Sequence, residues 1–324
     1  MTFPFDVYLL ALMAAALCCA ASLPVWRKAC LRLGLVDDPG HRKIHQQIMP
    51  LAGGLAVFTG VALPLVAGAV YMLLEHPGAQ SAELLRHGFS RRGIQLSGIV
   101  FGAFGMLLLG MADDKWELSA ATKFTGQLLI ALIVAAAGVR ITLFVPSLAF
   151  SYAITVLWIL AIINAFNFMD NMNGLCAGVG AIATIWFGML AAIKGQYLVT
   201  LFACLTAGAL CGFLPFNFPK ASAFLGDAGS HLTGYLLGVL AILPHFHTST
   251  DPQIWPVFSP LLVLAVPLAD LAWVVVLRTA RGKPFYIGDT NHFSHQLVRR
   301  GMSQRRAVLV IWLVSALTGA LALL

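Results

Sequence analysis

Apolar residues run along this chain in long blocks, broken only where charged and amide residues gather. A helix needs about 17–25 mostly apolar residues to cross the hydrocarbon of a bilayer. Blocks of that order fall at residues 5–26, 51–74, 94–112, 123–139, 150–168, 175–193, 197–213, 230–248, 257–277 and 306–323. Backbone in lipid must satisfy its own hydrogen bonds, and a helical bundle is the natural way to do it. The pattern therefore predicts an all-α polytopic membrane protein with about ten transmembrane helices, built as one integral domain over residues 1–324. The segment "RITLFVPSLAF" (140–150) leaves room for a short strand pair outside the bilayer.

Composition agrees with this reading. The chain is 60% hydrophobic and 10% charged, whereas soluble domains carry about a quarter charged residues. The first block has no basic residue before it and is followed by Arg27 and Lys28. It therefore reads as a span rather than a cleaved signal peptide. The six cysteines lie in or beside apolar blocks without paired metal spacing, as small hydrophobes do.

A net charge of +7 would raise nucleic acid as a partner in a soluble protein. Here the distribution of the charge gives a better account, and no nucleic-acid partner is expected. Loops 27–50, 113–122, 169–174, 214–229 and 278–305, with the adjoining helix ends, hold fifteen of the twenty lysines and arginines. By the positive-inside rule that face is cytoplasmic and both termini are extracytoplasmic. The rule says nothing about acids, yet Asp37, Asp38, Asp113, Asp114, Glu117, Asp170, Asp227 and Asp289 fall in the same loops. That bias puts the active site at the cytoplasmic face. Asp270 is the exception, inside a predicted span. Charge is costly there and must face the bundle interior, and its role is open.

Five cytoplasmic segments carry the polar chemistry: "DDPGHRKIHQQIMPLAGG" (37–54), "DDKWELSAATKFTGQ" (113–127), "NAFNFMDNMNGL" (164–175), "FNFPKASAFLGDAGS" (216–230) and "GDTNHFSHQLVRRG" (288–301). Carboxylates with other oxygen ligands suit Mg²⁺, which takes one or two carboxylates together with substrate phosphates. Glycines and helix N-termini admit anions, and lysines or histidines neutralise charge in phosphoryl transfer. The inventory points to a diphosphate-bearing substrate handled with Mg²⁺ at a membrane surface. Simpler readings stand beside it. A double aspartate at a helix end is ordinarily a solvated cap, and Asp227 in "GDAGS" is equally an N-cap for the next helix. Asn164, Asn167 and Asp170 share one helical face through their i, i+3, i+6 spacing, and polar residues in spans often only bond across helices. His292 and His295 lie one turn apart if their loop is helical, and phosphate contact suits them better than a transition metal.

Taken together, and in this order, the motifs from "VDDPGHRKIH" to "NHFSHQLVRRG" resemble the polyprenyl-phosphate N-acetylhexosamine-1-phosphate transferase family across nearly the whole chain. The resemblance implies a multi-pass enzyme of the bacterial cytoplasmic (inner) membrane. Its substrates would be a UDP-N-acetylhexosamine, with N-acetylglucosamine the favoured sugar, and undecaprenyl (polyprenyl) phosphate. The products would be UMP and a lipid-diphosphate sugar that starts a cell-surface glycan. It also implies Mg²⁺, with Mn²⁺ as a substitute, and leaves the oligomeric state open, a homodimer being one option.

By the same resemblance, Asp113 and Asp114 match the paired aspartates at the lipid phosphate, and Asp227 matches the metal ligand. Asn167 and Asp170 match the amide and acid near the nucleotide, and Phe224 matches an aromatic stacked on uracil, with Asn217 upstream. Lys43 and His45 match the basic first-loop motif, and Lys123 matches the lysine after the paired aspartates. His292 and His295 match outer members of a histidine cluster at the diphosphate. Ser294, Asn171, Asn173, Lys220 and Ser222 depart from the family pattern, which leaves the sugar in doubt but not the reaction class. A lipid phosphate is mostly dianionic at neutral pH, so it needs positioning more than a strong base. Direct attack with Asp113 as positioning group or weak base is therefore favoured over a covalent aspartyl intermediate. Two other classes remain: a membrane prenyltransferase, which would want a second aspartate-rich motif, and a secondary transporter, which would want an inverted repeat.

Overall fold

The computed structural model describes residues 5–38, 48–74, 80–142, 145–244, 255–284, 286 and 290–323. Lys43, His45 and Asp289 lie outside the described residues. The elements, in chain order, are α1 (Phe5–Leu33), two short strands β1 (Val36–Asp37) and β2 (Met49–Pro50), α2 (Gly53–Leu74), α3 (Gln80–Trp116) and α4 (Ala120–Ala136). They continue with α5 (Leu148–Met169), α6 (Leu175–Ile193), α7 (Tyr197–Asn217) and α8 (Gly226–Leu240). After a 3-10 turn at Trp255–Phe258 come α9 (Ser259–Val263), α10 (Ala265–Ala280), α11 (Phe293–Arg299) and α12 (Gln304–Ala320). The strands pair antiparallel, Val36 opposite Pro50 and Asp37 opposite Met49, and so close the base of the first polar loop.

Among the described residues seven helices are long and apolar enough to cross a membrane, or eight if the pair Pro256–Val263 and Ala265–Ala280, bent by 65°, counts as one span. The chain is thus an all-α polytopic membrane protein. Two further predicted blocks coincide with α4, of 17 residues, and α8, of 15. Ends at the polar loops extend past expectation, whereas α4 stops at Ala136 and α8 at Leu240, short of their predicted blocks. α1 runs on to Leu33, α3 runs through Asp113 to Trp116, and α8 begins at Gly226. Apolarity marks where hydrocarbon ends, whereas the backbone hydrogen bonds that define a helix continue past it. No strand forms among the described residues of 140–150. There Thr155 Oγ1 accepts from Ile141 N at 2.8 Å and Ser151 Oγ donates to Ile141 O at 2.8 Å, so side chains of α5 replace the expected ladder.

The centre of the bundle is α8, which packs against α2, α3, α5 and α6 and buries every residue from Ala228 to Leu240. Its polar residues need partners in that setting, and Tyr235 finds one by donating to Ile99 O at 3.0 Å. The outer helices present Leu9, Leu10, Leu17, Phe101, Leu157, Leu313 and Leu317 outward. In water such a surface would far exceed the patches monomers expose. Against lipid it is the solvated face.

Candidate active site

The helix end that carries "DDKW" should be a poor place for acids, because the C-terminal carbonyls of a helix repel negative charge. Three contacts offset this. Asp113 Oδ1 accepts from Leu118 N at 2.9 Å, across a turn in which Glu117 adopts a left-handed φ of 48°. Asp113 Oδ2 pairs with the ammonium of Lys123, which stands in the first turn of α4 behind the Ser119 cap. Asp114 reaches across to α8, where its Oδ1 accepts from Asp227 N at 2.7 Å and its Oδ2 from Ala228 N at 3.0 Å.

This last contact decides between the two readings of Asp227. The N-terminal amides of α8 are capped, but by Asp114 from another helix, and no side chain of α8 itself caps them. Asp227 is thereby released from that task. Its Oδ1 accepts from Asn167 Nδ2 at 2.8 Å, and its Oδ2 lies 3.6 Å from Lys123 Nζ. Two glycines make the approach possible. A Cβ on Gly110 would lie 2.4 Å from Asp227 O and from Ala228 Cα. Gly226, at φ +72°, would place a Cβ 2.8 Å from Asp114 Oδ2, and its backbone conformation already favours glycine.

From α5 come the amides. Asn167 donates to Asp227 and, at 3.1 Å, to Ser230 Oγ. Asn164, one turn back on the same face, donates instead to Gln127 Oε1 at 2.8 Å, and Gln127 Nε2 meets His231 Nε2 at 3.5 Å. This places Asn164 in an interior polar layer below the acids. Asp170 ends α5. Withdrawal from water, then the charges of Asp227 and Asp114, raise its carboxyl well above the ordinary value. The cluster is therefore over-supplied with negative charge.

The remaining predicted residues frame this centre. Asn217 is 4% exposed and both ends of its amide go to backbone: Oδ1 accepts from Gly174 N at 2.5 Å and Nδ2 donates to Ala223 O at 3.0 Å. It braces two loops, upstream of Phe224. Phe224, partly buried, is held by its main chain, donating to Pro50 O at 3.0 Å and accepting from Gly53 N at 2.9 Å, which ties it beside the base of the first polar loop. His292 stands at the N-cap position of α11 and His295 follows in its first turn, with ring centroids 6.2 Å apart, so the condition of a helical segment is met from Phe293 on. Two of the departures from the family pattern meet: Ser294 Oγ donates to Asn171 Oδ1 at 2.6 Å.

The sequence reading missed Gln127, Ser230 and His231. A usable signal existed for two of them, since Ser230 and His231 stand three and four residues after Asp227 on one face of α8. The described residues contain no group of three potential His, Cys, Asp or Glu metal ligands. The arrangement instead offers Asp113 and Asp227, both at Lys123, with Asn167 behind. A pair of carboxylates suits Mg²⁺, because that ion takes few protein ligands and leaves its other positions to water and substrate phosphates.

Comparison with known proteins gives a consistent result. The family model described as glycosyl transferase family 4 matches residues 96–245, which include the second part of α3 and all of α5 and α8, with Asp113, Asp114, Asn167 and Asp227. A Bacillus subtilis protein named as a probable undecaprenyl-phosphate N-acetylglucosaminyl 1-phosphate transferase is 32% identical over 90% of this chain and 77% of its own length. A Mycobacterium tuberculosis decaprenyl-phosphate N-acetylglucosaminephosphotransferase is 33% identical over 95% of this chain and 80% of its own. An Escherichia coli undecaprenyl-phosphate alpha-N-acetylglucosaminyl 1-phosphate transferase is 27% identical over 92% and 78%.

Proposed function

Because the chain belongs to glycosyl transferase family 4, we propose that it transfers N-acetylglucosamine 1-phosphate from its UDP-sugar to undecaprenyl phosphate, releasing UMP. The reaction takes place at the cytoplasmic face of a bacterial inner membrane, with both termini on the opposite side. The relatives' names supply the acceptor class and the sugar, and the fifteen-to-five partition of lysine and arginine supports the orientation. The product is a lipid-diphosphate sugar that initiates a surface glycan.

The observation that carries the reading is the release of Asp227 by the Asp114 cap. A carboxylate 34% exposed in its side chain, fixed by Asn167 and facing a lysine, is a preorganised seat for a charged ligand. Asp227 and Asp113 would hold Mg²⁺, which when bound screens the diphosphate and stabilises the departing UMP. Lys123 reaches both carboxylates and supplies the positive charge that an incoming phosphate meets. Asp113, 3% exposed and tied by Leu118 N, orients the acceptor rather than acting as a strong base. In the step itself, an oxygen of the lipid phosphate forms a bond to the β-phosphorus. The bond from that phosphorus to the bridging oxygen breaks, and UMP leaves with the electron pair. Positioning and charge provide the catalysis. The Phe224 ring stacks on uracil, and Lys43 and His45 extend the positive surface from the first loop.

The test offers purified protein, Mg²⁺ and undecaprenyl phosphate a panel of UDP-N-acetylhexosamines, with nucleotide and lipid products identified by mass spectrometry. The reading expects UMP and one lipid-diphosphate sugar. Inorganic diphosphate as the released product would favour a prenyltransferase instead, and no turnover with any donor would remove the reading.

A further inference from the structure

Asp270 is the acid that the pattern of spans left without a purpose. It lies in α10 at 3% exposure, and His292, at the start of α11, is 4% exposed. Asp270 Oδ2 stands 2.7 Å from His292 Nδ1, and Asp270 Oδ1 accepts from Phe293 N at 2.7 Å. Both carboxylate oxygens are thus turned to the first two residues of the histidine segment. An ionised carboxylate can only accept, so the proton in the first contact sits on Nδ1. The bond at one ring nitrogen sets the state of the other, so Nε2 becomes the working nitrogen.

We propose that Asp270 is a positioning residue that holds the His292 ring through Nδ1–H and balances its charge when Nε2 is also protonated, so that Nε2–H faces the phosphate oxygens of the substrate. The inference rests on the transfer reading given above and adds to it a residue that touches no substrate. Two further contacts hold the ring's surroundings. Ser294 is bonded to Asn171 Oδ1, which anchors α11 to the turn after α5. Phe168 sets its ring edge-on to His292 with centroids 6.0 Å apart and carries the buried Arg278 guanidinium 4.9 Å from its centre. Phe168 is also the neighbour of Asn167, the amide bonded to Asp227, so this packing links the histidine to the acid cluster. With a carboxylate behind it, the imidazole can take a proton at Nε2 and present N–H to a phosphate oxygen while Asp270 balances the ring's charge. The same division of labour holds a histidine in a hydrolase triad. It also accounts for a carboxylate inside an apolar helix.

Asp270→Asn tests the idea, because an amide oxygen still accepts from Phe293 N while the amide nitrogen offers Nδ1 a donor and reverses the tautomer. We expect kcat for UMP release to fall roughly 10- to 100-fold, the scale for losing the carboxylate partner of a metal-bound histidine, with the KM for UDP-sugar and the unfolding midpoint little changed. In a His292→Gln background the same substitution should cost nothing further. Losses that multiply in the double variant, or an Asp270→Asn enzyme of undiminished kcat, overturn the proposal. Nitrogen-15 NMR of the unaltered protein tests it without any variant. Hydrogen on Nδ1 of His292 supports it, and a neutral ring with hydrogen on Nε2 alone overturns it. An unaltered protein that releases no UMP would instead count against the transfer reading itself.

Discussion

The acid cluster around Asp227 and the Asp270–His292 pair both remove carboxylates from water, and they balance the charge in opposite ways. At the pair, one carboxylate meets one imidazole and one amide, and both oxygens are occupied. At the cluster, Asp113 and Asp227 share the ammonium of Lys123, and Asp170 is pushed up by its withdrawal from water and then by the charges of Asp227 and Asp114. A balanced pair holds a side chain in place. On the proposed function, a cation and phosphates would complete the unbalanced cluster. Within the cluster the contrast repeats on a smaller scale, since Asp114 spends both oxygens on the start of α8 and Asp227, whose amide it holds, keeps a face open.

Substitutions can break this contrast, beginning where the effect is greatest. Asp227→Asn keeps the shape but removes the charge, and UMP release should fall on the order of 10²- to 10³-fold, the scale of losing one preorganised electrostatic contact. Its unfolding midpoint should hardly move, which a thermal melt beside the assay would check. Lys123→Met leaves Asp113 and Asp227 facing each other without their ammonium. A fully buried pair broken this way costs about 3–5 kcal/mol. Lys123 is 31% exposed in its side chain, so a loss of about 1–3 kcal/mol in stability is expected, together with a raised KM for UDP-sugar.

Asp114→Asn should behave differently from Asp227→Asn. It loses one of two charge-assisted bonds at the end of α8, so stability falls by about 1–2 kcal/mol, as for the loss of a helix cap. Activity falls with it because the main chain of Asp227 shifts. If Asp114→Asn matched Asp227→Asn in activity loss with an unchanged melt, the division between clamp and ligand would be wrong.

Asp170 gives the pH test. Its carboxyl is raised in the folded protein, so the ionised form is disfavoured there. The ligand-free protein then gains stability as pH falls and loses it as pH rises through the folded-state value. Asp170→Asn should raise the ligand-free unfolding midpoint at neutral pH and flatten that dependence, while impairing turnover. A lowered midpoint would contradict the crowding of charge. The smallest effect belongs to Phe224→Ala, which should raise the KM for UDP-sugar roughly 2- to 12-fold through lost stacking and leave kcat nearly intact. An unchanged KM would place the base elsewhere.

Much of this was legible before any coordinates, and the omissions share a cause. Apolar blocks located the helices because hydrocarbon length is a strict requirement, but they missed the helical starts and ends made of "GDAGS" and "DDKW". There polar residues are helical because another helix supplies their partners. The gathering of Asp113, Asn167 and Asp227 could be anticipated from their placement at one face of the predicted bundle. That Asp114 caps α8 could not, since the cap comes from a residue 113 positions away in the chain. Asn217 illustrates the same limit: that its amide braces two loops follows from backbone partners that lie far from it in the chain or around a turn. Asp270 was visible as an anomaly, but its partner, twenty-two residues on, emerged only when α10 and α11 were packed together.

The most direct test of the account follows a labelled β-phosphorus of UDP-N-acetylglucosamine through a reaction with undecaprenyl phosphate and Mg²⁺. Attack at that phosphorus beside Asp113 and Asp227 sends the label into the lipid product with its sugar, and one unlabelled UMP is released for each lipid formed. Label retained in released UDP, with unphosphorylated sugar passed to the lipid, would mean that the bond broken lies on the other side of the phosphorus and that the acid cluster does something else.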